Sequence, residues 1–515
     1  MLKPSPGARA GLLAFIGGSL GCVAPLDLDA VERTPSSALP PARGVELAVV
    51  MGAEAPPSQS WFGPLDRPDE GLDARLALAS VAQSSIDVQS YLWHADSSGS
   101  LLMDRLLDAA DRGVRVRLMI DGFQLEDNLD VDVGIDSHPN IEVRVFNPTV
   151  HESGIWRGME VLGTLERFDH RMHNKMFVVD GVAGVFGGRN IGDEYFGLGH
   201  EADFRDYDLL ASGVVIDDLE AAFDDFWNCP YAIPVRALRP AGDEDSRAEA
   251  LERAREAVAG RHLDDRRLDA RRALTRADWS AALTRARAAM VPGSAELVHD
   301  LASVEDDGAT GTMTSALRDS LGPVEGDVLI VVAYLVPDDS FVENVRRHVE
   351  AGGRARILTN SYVSTNQPLA HAYYAAARDD LLDAGAELYE VRADAFSHAY
   401  HRSPGSRGQK LGLHAKSAVF GESRVVVGSM NLDPRSMVLN TEMGALIESR
   451  ELATRVRAHL ERDFAERNAW RVDRDERGRI FWQSGEVKTY DEPQMSAREH
   501  VREWFVRLMP VKGEV

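Results

Sequence analysis

Cysteine is scarce in this sequence, and its scarcity excludes two kinds of site. The chain has 515 residues but only 2 cysteines, Cys22 and Cys229. One chain can therefore build neither a disulfide framework nor a metal site held by several thiolates. Basic residues are also few, since Lys and Arg number 57 against 82 Asp and Glu, for a net charge of −25. Such a charge repels a polyphosphate chain, and we expect no nucleic-acid partner.

A β-α-β pattern occurs twice along the chain. Residues 85–92, 101–112 and 113–121 have the patterns of a strand, a helix and a strand, and residues 327–334, 341–351 and 353–359 repeat them. A strand-helix-strand unit places its strands in parallel under a helical cover. The sequence therefore predicts an α/β fold with two homologous lobes, each a mostly parallel sheet flanked by helices, packed as a pseudo-dimer.

The pattern also predicts domain boundaries. We expect a first lobe over residues 61–240, a helical connector over 241–300 and a second lobe over 301–450. The connector has few large apolar residues apart from Trp279, which is typical of solvated linking structure. A C-terminal extension over 451–515 ends in an apolar stripe of helical spacing, formed by Val501, Trp504, Phe505, Leu508 and Met509. Such a stripe packs on the protein or lies on a membrane surface.

One short motif stands in register in both halves. The first half has His173, Lys175 and Asp180, followed by Gly187-Gly188-Arg189-Asn190. The second half has His414 and Lys416, followed by Gly428-Ser429-Met430-Asn431, with Gly421 at the place of Asp180. A single His-x-Lys is weak evidence, but two copies in register, each followed at the same distance by a second short motif, are specific.

The residue types suit phosphodiester chemistry. In an extended chain residues two apart share a face, so that each half presents an imidazole beside an ammonium. The lysines and the amides of Asn190 and Asn431 can hold the non-bridging phosphate oxygens. One histidine can attack phosphorus while the other exchanges a proton with the alcohol oxygen. Glu442 and Asp206 stand at matching places after the motifs and can each orient a ring, with Asp208 as a competitor of Asp206.

These motifs resemble those of the phospholipase D superfamily, with the pattern H-x-K-x(4)-D followed by G-G/S-x-N. The resemblance covers residue 61 to the C-terminus. The segments around Gly187, Phe204, Gly428 and Asn440 are more closely similar to bacterial cardiolipin synthases of the C type. The resemblance implies a transfer of phosphatidyl groups without a cofactor or a metal, through a phosphatidyl-histidine. It also implies phosphatidylglycerol as a substrate, with phosphatidylethanolamine as a candidate second one, and contact with a membrane surface.

The second motif departs from the family pattern at Gly421. An Asp at this position begins a turn and accepts local N–H bonds, whereas Gly reaches the same backbone conformation without them. We therefore assign the nucleophile to His173, in the intact motif, and the general acid/base to His414. A hydrolytic phospholipase D, a nuclease and a lipid-binding protein without turnover remain as alternatives.

The N-terminus has the order of a secretory signal. Lys3 and Arg9 precede a short apolar run, and Gly21 and Cys22 follow it, which predicts a signal peptide over residues 1–21. Cys22 is either the acceptor of a lipoprotein anchor or incidental. Both readings predict a bacterial cell envelope location, with the protein anchored at Cys22 or exported to the periplasm. Proline-rich residues 22–60 are predicted to be a disordered tether.

Overall fold

The structure is a computed structural model, and it describes residues 31–53, 57–123, 129–149, 169–239, 242–261, 266–303, 312–321, 324–403 and 406–495. Its first half contains nine strands: β1 (Ser60–Leu65), β2 (Ser85–Ser90), β3 (Arg115–Asp121), β4 (Ile141–Phe146), β5 (Met176–Val179), β6 (Ala183–Gly187), β7 (Ala202–Arg205), β8 (Asp208–Ser212) and β9 (Ala232–Pro234). The helices of this half are α1 (Glu46–Met51), α2 (Pro68–Val81), α3 (Ser97–Asp111), α4 (Leu129–Asp136), α5 (Val215–Trp227) and α6 (Val235–Leu238).

The second half repeats this order. Three helices precede it, α7 (Glu244–Gly260), α8 (Arg266–Ala273) and α9 (Arg276–Ala288). Its strands are β10 (Val291–His299), β11 (Asp327–Val332), β12 (Arg354–Asn360), β13 (Glu387–Val391), β14 (Lys410–Leu413), β15 (Lys416–Phe420), β16 (Arg424–Gly428), β17 (Met443–Glu448), β18 (Ala469–Arg474), β19 (Ile480–Ser484) and β20 (Val487–Thr489). Its helices are α10 (Thr312–Leu321), α11 (Asp339–Glu350), α12 (Pro368–Asp383), α13 (His398–His401) and α14 (Arg450–Asp463).

The second sheet repeats the strand order of the first and has two further strands at one edge, β19 and β20. The first sheet runs β1-β8-β6-β5-β2-β3-β4-β9, and the second runs β10-β17-β16-β15-β11-β12-β13-β18-β19-β20. Strand β1 pairs with β10 and joins the two sheets edge to edge. Strands β7 and β14 form a small parallel sheet between the lobes. The predicted α/β class and the two-lobe arrangement are confirmed.

The prediction of mostly parallel sheets is wrong. Within the two large sheets of the described residues, parallel pairing is confined to β2 with β3 and β3 with β4, and to their counterparts β11 with β12 and β12 with β13. The reason is that each motif continues into a hairpin, β5-β6 or β15-β16, and a tight turn can only join antiparallel strands. The sheets are therefore mixed.

One hydrophobic cluster spans the interface between the lobes. It contains Met176 and Phe186 of the first sheet together with Val419, Val427 and Met443 of the second, all buried. Burial of this apolar surface favours the packed pair over separated lobes. The lobes therefore form a pseudo-dimer around a shared core.

The predicted tether is wrong for the described residues 31–53, which lie along the first lobe. The Trp227 indole donates to the Ser36 hydroxyl over 2.9 Å, and Arg117 donates to the Ser36 carbonyl over 3.0 Å. Helix α1 buries Leu47 and Met51. These tertiary contacts order a segment whose composition alone suggests disorder. Residues 1–30, with the predicted signal and Cys22, lie outside the described residues.

The predicted boundaries also shift. The described residues of 241–300 form helices α7 to α9, but they end in β10, a strand of the second sheet. Trp279 and Leu283 of α9 are buried in the core of the first lobe, whereas most other residues of the connector helices are exposed or half-buried. Helix α14 and strands β18 to β20 extend the second lobe beyond residue 450. The apolar stripe at 501–509 lies outside the described residues, and no helix among those described is long and apolar enough to cross a membrane.

Candidate active site

The two histidines are held by backbone contacts that cross between the lobes. The N–H of His173 donates to the carbonyl of Thr441 over 2.9 Å, and the N–H of His414 donates to the carbonyl of Arg205 over 2.8 Å. Each histidine therefore sits just before a strand of its own lobe while its backbone pairs with the other lobe. The arrangement repeats about a pseudo-two-fold axis.

Each lysine folds back onto the histidine two residues before it. Lys175 Nζ donates to the carbonyl of His173, and Lys416 Nζ donates to the carbonyl of His414. Lys416 Nζ also lies 3.1 Å from Nε2 of His414. The predicted pairing of imidazole and ammonium is thus present in both halves, although His173 and Lys175 precede β5 instead of lying within it.

The orienting carboxylates are exchanged between the lobes. Glu442 of the second lobe lies 2.8 Å from Nδ1 of His173, and Asp206 of the first lobe lies 2.6 Å from Nδ1 of His414. With Nδ1 bound to a carboxylate, Nε2 is the ring nitrogen left for chemistry. Neither half can therefore orient its histidine alone.

Burial dominates the electrostatics of the histidines. Burial and the nearby lysines hold the pKa of His173 well below its usual range. The same causes lower the pKa of His414 to about 3, against the opposing effect of Asp206. Burial would raise the pKa of Asp206, but His414 and Lys416 hold it below its usual range. Asp206 is consequently ionised and both imidazoles are neutral near pH 7.

The lysines and the second carboxylate titrate close to neutral pH. Burial lowers the pKa of Lys175 to about 7 and that of Lys416 to about 8. Burial raises the pKa of Glu442 to about 7, against the opposing effect of Lys175. Groups that change charge near the working pH are typical of catalytic sites.

Gly188 of the first motif and Ser429 of the second occupy equivalent positions, and each lies against one of the two orienting carboxylates. The Ser429 hydroxyl donates to Glu442 over 2.5 Å. At Gly188, an added Cβ would lie 2.1 Å from Oδ1 of Asp206. The first half therefore requires glycine at this position, whereas the second half uses the position for a hydrogen bond. Sequence reasoning quoted both residues in the motif but gave them no role.

Aromatic rings line both histidines. The ring of Tyr91 meets that of His173 edge-on at 5.1 Å between centroids, and Tyr195 meets His414 in the same way at 5.1 Å. Phe204 packs against His414 at 5.6 Å. Sequence reasoning missed these rings as site residues. A usable signal existed, because Tyr91 follows β2 in the repeat and Tyr195 follows the first motif closely.

The two asparagines are buried in the motif loops. The Asn190 amide donates to the Tyr195 hydroxyl over 3.0 Å, and its oxygen accepts from the N–H of Leu92 over 3.3 Å. Asn190 therefore ties the loop to the aromatic ring that packs on His414. Asn431 is equally buried, and its Oδ1 has no partner among the described residues.

The structure corrects the assignment of Asp180 to the catalytic group. Asp180 lies in the turn beyond β5, at the end away from His173, where its carboxylate accepts from the N–H groups of Ser84 and Ser85 over 2.7 and 3.0 Å. Its role is therefore to fix the start of β2. Gly421 occupies the equivalent turn with a φ of 58°, close to the 56° of Asp180. Glycine thus keeps the left-handed turn, as predicted.

The competition between Asp206 and Asp208 is decided by their partners. Asp208 binds Arg75 at 3.0 Å and Arg189 at 3.3 Å, and all three side chains are buried. It neutralises two arginines below the site, while Asp206 faces His414. Removing Asp208 would leave buried charges unpaired, so its contribution is to the fold.

Two groups of side chains among the described residues could hold a cation by their spacing. His371, Glu390 and Glu492 form one, but Arg378 already lies 2.8 Å from Glu390 and 3.2 Å from His371. His94, Asp96 and Glu194 form the other, on the partly exposed surface. The histidine pair itself contains no such group among the residues described, and the expectation of no cofactor stays a prediction.

Comparison with known proteins identifies the family. Residues 76–227 and 319–464 match the family described as "Cardiolipin synthase, PLD-like domain". The chain belongs to this family. It is an enzyme of the phospholipase D superfamily, and the matched segments are the two halves that carry the histidine motifs. The recognition made from the motifs is confirmed.

Individual relatives agree with this membership. The chain is 34% identical to cardiolipin synthase C of Escherichia coli over 472 residues, which cover 88% of this chain and 96% of that protein. It is 23% identical to a cardiolipin synthase 1 of Staphylococcus epidermidis over 384 residues, or 74% of this chain and 63% of that protein. The crystal structure of a phosphatidylserine synthase from Haemophilus influenzae matches with a TM-score of 0.56 at 13% identity, covering 89% and 98% of the two chains. That likeness shows the fold.

Proposed function

We propose that the protein is a phosphatidyltransferase of the cardiolipin synthase type that works through a phosphatidyl-histidine. The observation that carries the proposal is the exchange of orienting acids, Glu442 to His173 and Asp206 to His414. This exchange gives the site two imidazoles with Nε2 available and a lysine beside each. The names of the relatives, cardiolipin synthases and a phosphatidylserine synthase, support phospholipids as the substrates.

In the first step, Nε2 of His173 attacks the phosphorus of a phospholipid. The new N–P bond forms as the bond from phosphorus to the departing alcohol oxygen breaks, and His414 gives its proton to that oxygen. Asp206 supports this assignment of roles, because its carboxylate is held ionised 2.6 Å from Nδ1 of His414 and stabilises the charged ring that gives the proton. Lys175 and Lys416 neutralise charge on the non-bridging oxygens.

His414 must be protonated to act as the acid, although burial keeps it neutral in the free protein. The anionic phosphodiester resolves this difficulty, because a negative charge beside an imidazole favours its charged form. Substrate binding thus raises the pKa of His414 and draws in the proton that the first step consumes. The acid is formed only when there is a bond to cleave.

In the second step, an acceptor hydroxyl displaces the histidine. His414, now neutral, takes the hydroxyl proton while the acceptor oxygen bonds to phosphorus and the N–P bond breaks. A glycerol hydroxyl of phosphatidylglycerol as acceptor yields cardiolipin, and water yields phosphatidic acid. Transferase and hydrolase therefore differ only in the acceptor.

The experiment uses labelled phosphatidylglycerol in vesicles, with and without phosphatidylethanolamine. We expect the purified protein to form cardiolipin in at least one of the two mixtures, and we expect none from His173→Ala. Release of phosphatidic acid alone would show a hydrolase instead. Absence of any lipid product, with a folded protein, would reject the proposed function.

A further inference from the structure

A large apolar pocket lies in the second lobe between the sheet and helices α10 and α11. Its volume is about 580 Å³. Leu317 and Leu321 of α10, Ile330 and Val332 of β11, and Phe341 and Val345 of α11 form its walls. The volume falls within the range of sites that enclose a small-molecule ligand, roughly 300–1,000 Å³. An apolar lining of this size favours a ligand with a long hydrocarbon part.

The equivalent region of the first lobe is filled. There the side chains of Leu72, Leu76, Ile86, Leu101 and Leu106 are all buried in one core cluster. Helix α2, with 14 residues, covers that sheet face and is itself covered by α9. Its counterpart α10 has 10 described residues, and Ile330 and Phe341 remain only half-buried. Among the described residues, the apolar face of the second sheet is thus less covered than that of the first.

The pocket reaches the proposed active site at Lys416. Lys416 lines it, together with Ser417, Gly428 and Met430 of the second motif. The ammonium of Lys416 would bind the phosphate, so a molecule with its phosphodiester at that point can extend its apolar part directly into the pocket. Residues 416 and 418 share a face of β15, and Ala418 forms the next part of the wall.

We propose that this pocket holds one fatty acyl chain of the phospholipid that the enzyme binds. The inference rests on the proposed function and adds to it that a pocket of the second lobe selects the chain. A phospholipid is preferred over the chain's own C-terminal stripe as the occupant, because the pocket joins an ammonium to apolar walls and a lipid matches both. Each methylene buried contributes roughly fourfold in binding, at about 0.8 kcal/mol per CH₂. Apparent affinity should therefore rise with acyl length until the pocket is full.

The first test changes the pocket at Ile330. Ile330→Trp fills it, and Ile330→Val is the matched variant that enlarges it slightly. We expect Ile330→Trp to lower the ratio of kcat/KM for dioleoyl over dihexanoyl phosphatidylglycerol by at least about tenfold, the effect of two methylenes, and Ile330→Val to keep or raise it. Val214→Trp, at an exposed residue of the first lobe, is the control for added bulk. An unchanged ratio in Ile330→Trp, with the melting temperature preserved, would overturn the proposal.

The second test needs no turnover. Phosphatidylglycerol with a photoreactive group at the end of one acyl chain is irradiated with the full-length His173→Asn protein, and the labelled peptides are mapped. Labels in residues 312–349 support the pocket, whereas labels only elsewhere overturn it. Labels in the pocket without cardiolipin or phosphatidic acid from the wild type would reject the proposed function and keep the lipid site. Formation of cardiolipin or phosphatidic acid by the wild type, with labels only outside the pocket, would keep the proposed function and reject the acyl-chain site.

Discussion

In the first lobe Asp180 closes the turn after β5 and accepts from backbone N–H groups at the start of β2, whereas Gly421 closes the equivalent turn after β15 with no side chain. The backbone still follows the same course, because the N–H of Asp180 donates to Ser85 over 2.8 Å and that of Gly421 donates to Asp327 over 2.9 Å. The difference teaches that this aspartate supports the fold of one lobe and is dispensable for the geometry of the other.

The groups around the histidines differ in a complementary way. Gly188 leaves room for Asp206, and Ser429 binds Glu442. Asp206 is held ionised, whereas the pKa of Glu442 is raised to about 7. Each acid orients the histidine of the other lobe. His414 therefore has an ionised partner, Asp206, whereas His173 has a partner, Glu442, that changes charge near neutral pH. This is a physical basis for two histidines with different roles.

The largest expected effects come from the histidines themselves. His173→Asn should abolish transfer, because no other group replaces the attacking nitrogen. His414→Asn should lower kcat by roughly 10²–10⁴-fold with a natural phospholipid, the usual value of an acid/base. With a lipid whose leaving group is an acidic phenol, His414→Asn should recover most of the first step, since that group needs no proton. The first step is measured as a burst of released phenol. A burst from His173→Asn, with none from His414→Asn, would show that His414 is the nucleophile and His173 the acid.

The acids should rank next, and unequally. Asp206→Asn removes a fixed negative charge from His414, so that kcat should fall by about 10–100-fold, the usual loss when a group that orients a histidine is removed. Glu442→Gln should cost about tenfold less near pH 6, because Glu442 is already largely protonated below its pKa of about 7. Rates of cardiolipin formation at pH 6 test this order. Asp225→Asn, on the exposed face of α5, controls for a general change of charge, and equal losses in the two acid variants would contradict the ranking.

The pH profile should separate the lysines from the histidines. As pH falls, kcat/KM should decline modestly near 7, where Glu442 takes up a proton, and steeply only well below 6.5, because His173 resists protonation. As pH rises, kcat/KM should decline through 7 to 8, because Lys175 and Lys416 lose their charge with pKa values of about 7 and 8. Lys416→Arg keeps its charge throughout, so that its alkaline limb should have the slope of one proton instead of two. A wild-type profile that is flat up to pH 9 would contradict the lysine values.

The smallest effects should come from the turns. Asp180→Gly leaves buried N–H groups without an acceptor and should destabilise the fold by about 1–3 kcal/mol, with little change in kcat per folded molecule. Gly421→Asp should change stability by about 1 kcal/mol or less, since Asp tolerates the left-handed region. Urea unfolding and kcat measured together test both variants. A loss of kcat in Asp180→Gly without a loss of stability would return Asp180 to the catalytic group.

Local patterns predicted much of the fold and the site. The β-α-β units and the histidine-lysine pairs follow from residue periodicity and spacing, and the structure contains them. The exchange of Glu442 and Asp206 between lobes did not follow, because no local pattern encodes which ring faces which carboxylate. The order of residues 31–53 was missed for the same reason, since Ser36 is fixed by Trp227, far along the chain. The parallel content was overestimated because the hairpin strands were left out of the sheet.

The central claim is that His173 carries the phosphatidyl group while His414 moves the proton. The most direct test is to quench the enzyme during turnover of phosphatidylglycerol labelled at phosphorus, digest it at alkaline pH and map the labelled peptide by mass spectrometry. We predict the phosphoryl group on a peptide that contains His173, and none on that peptide from His173→Asn. Label on the peptide that contains His414 would contradict the account.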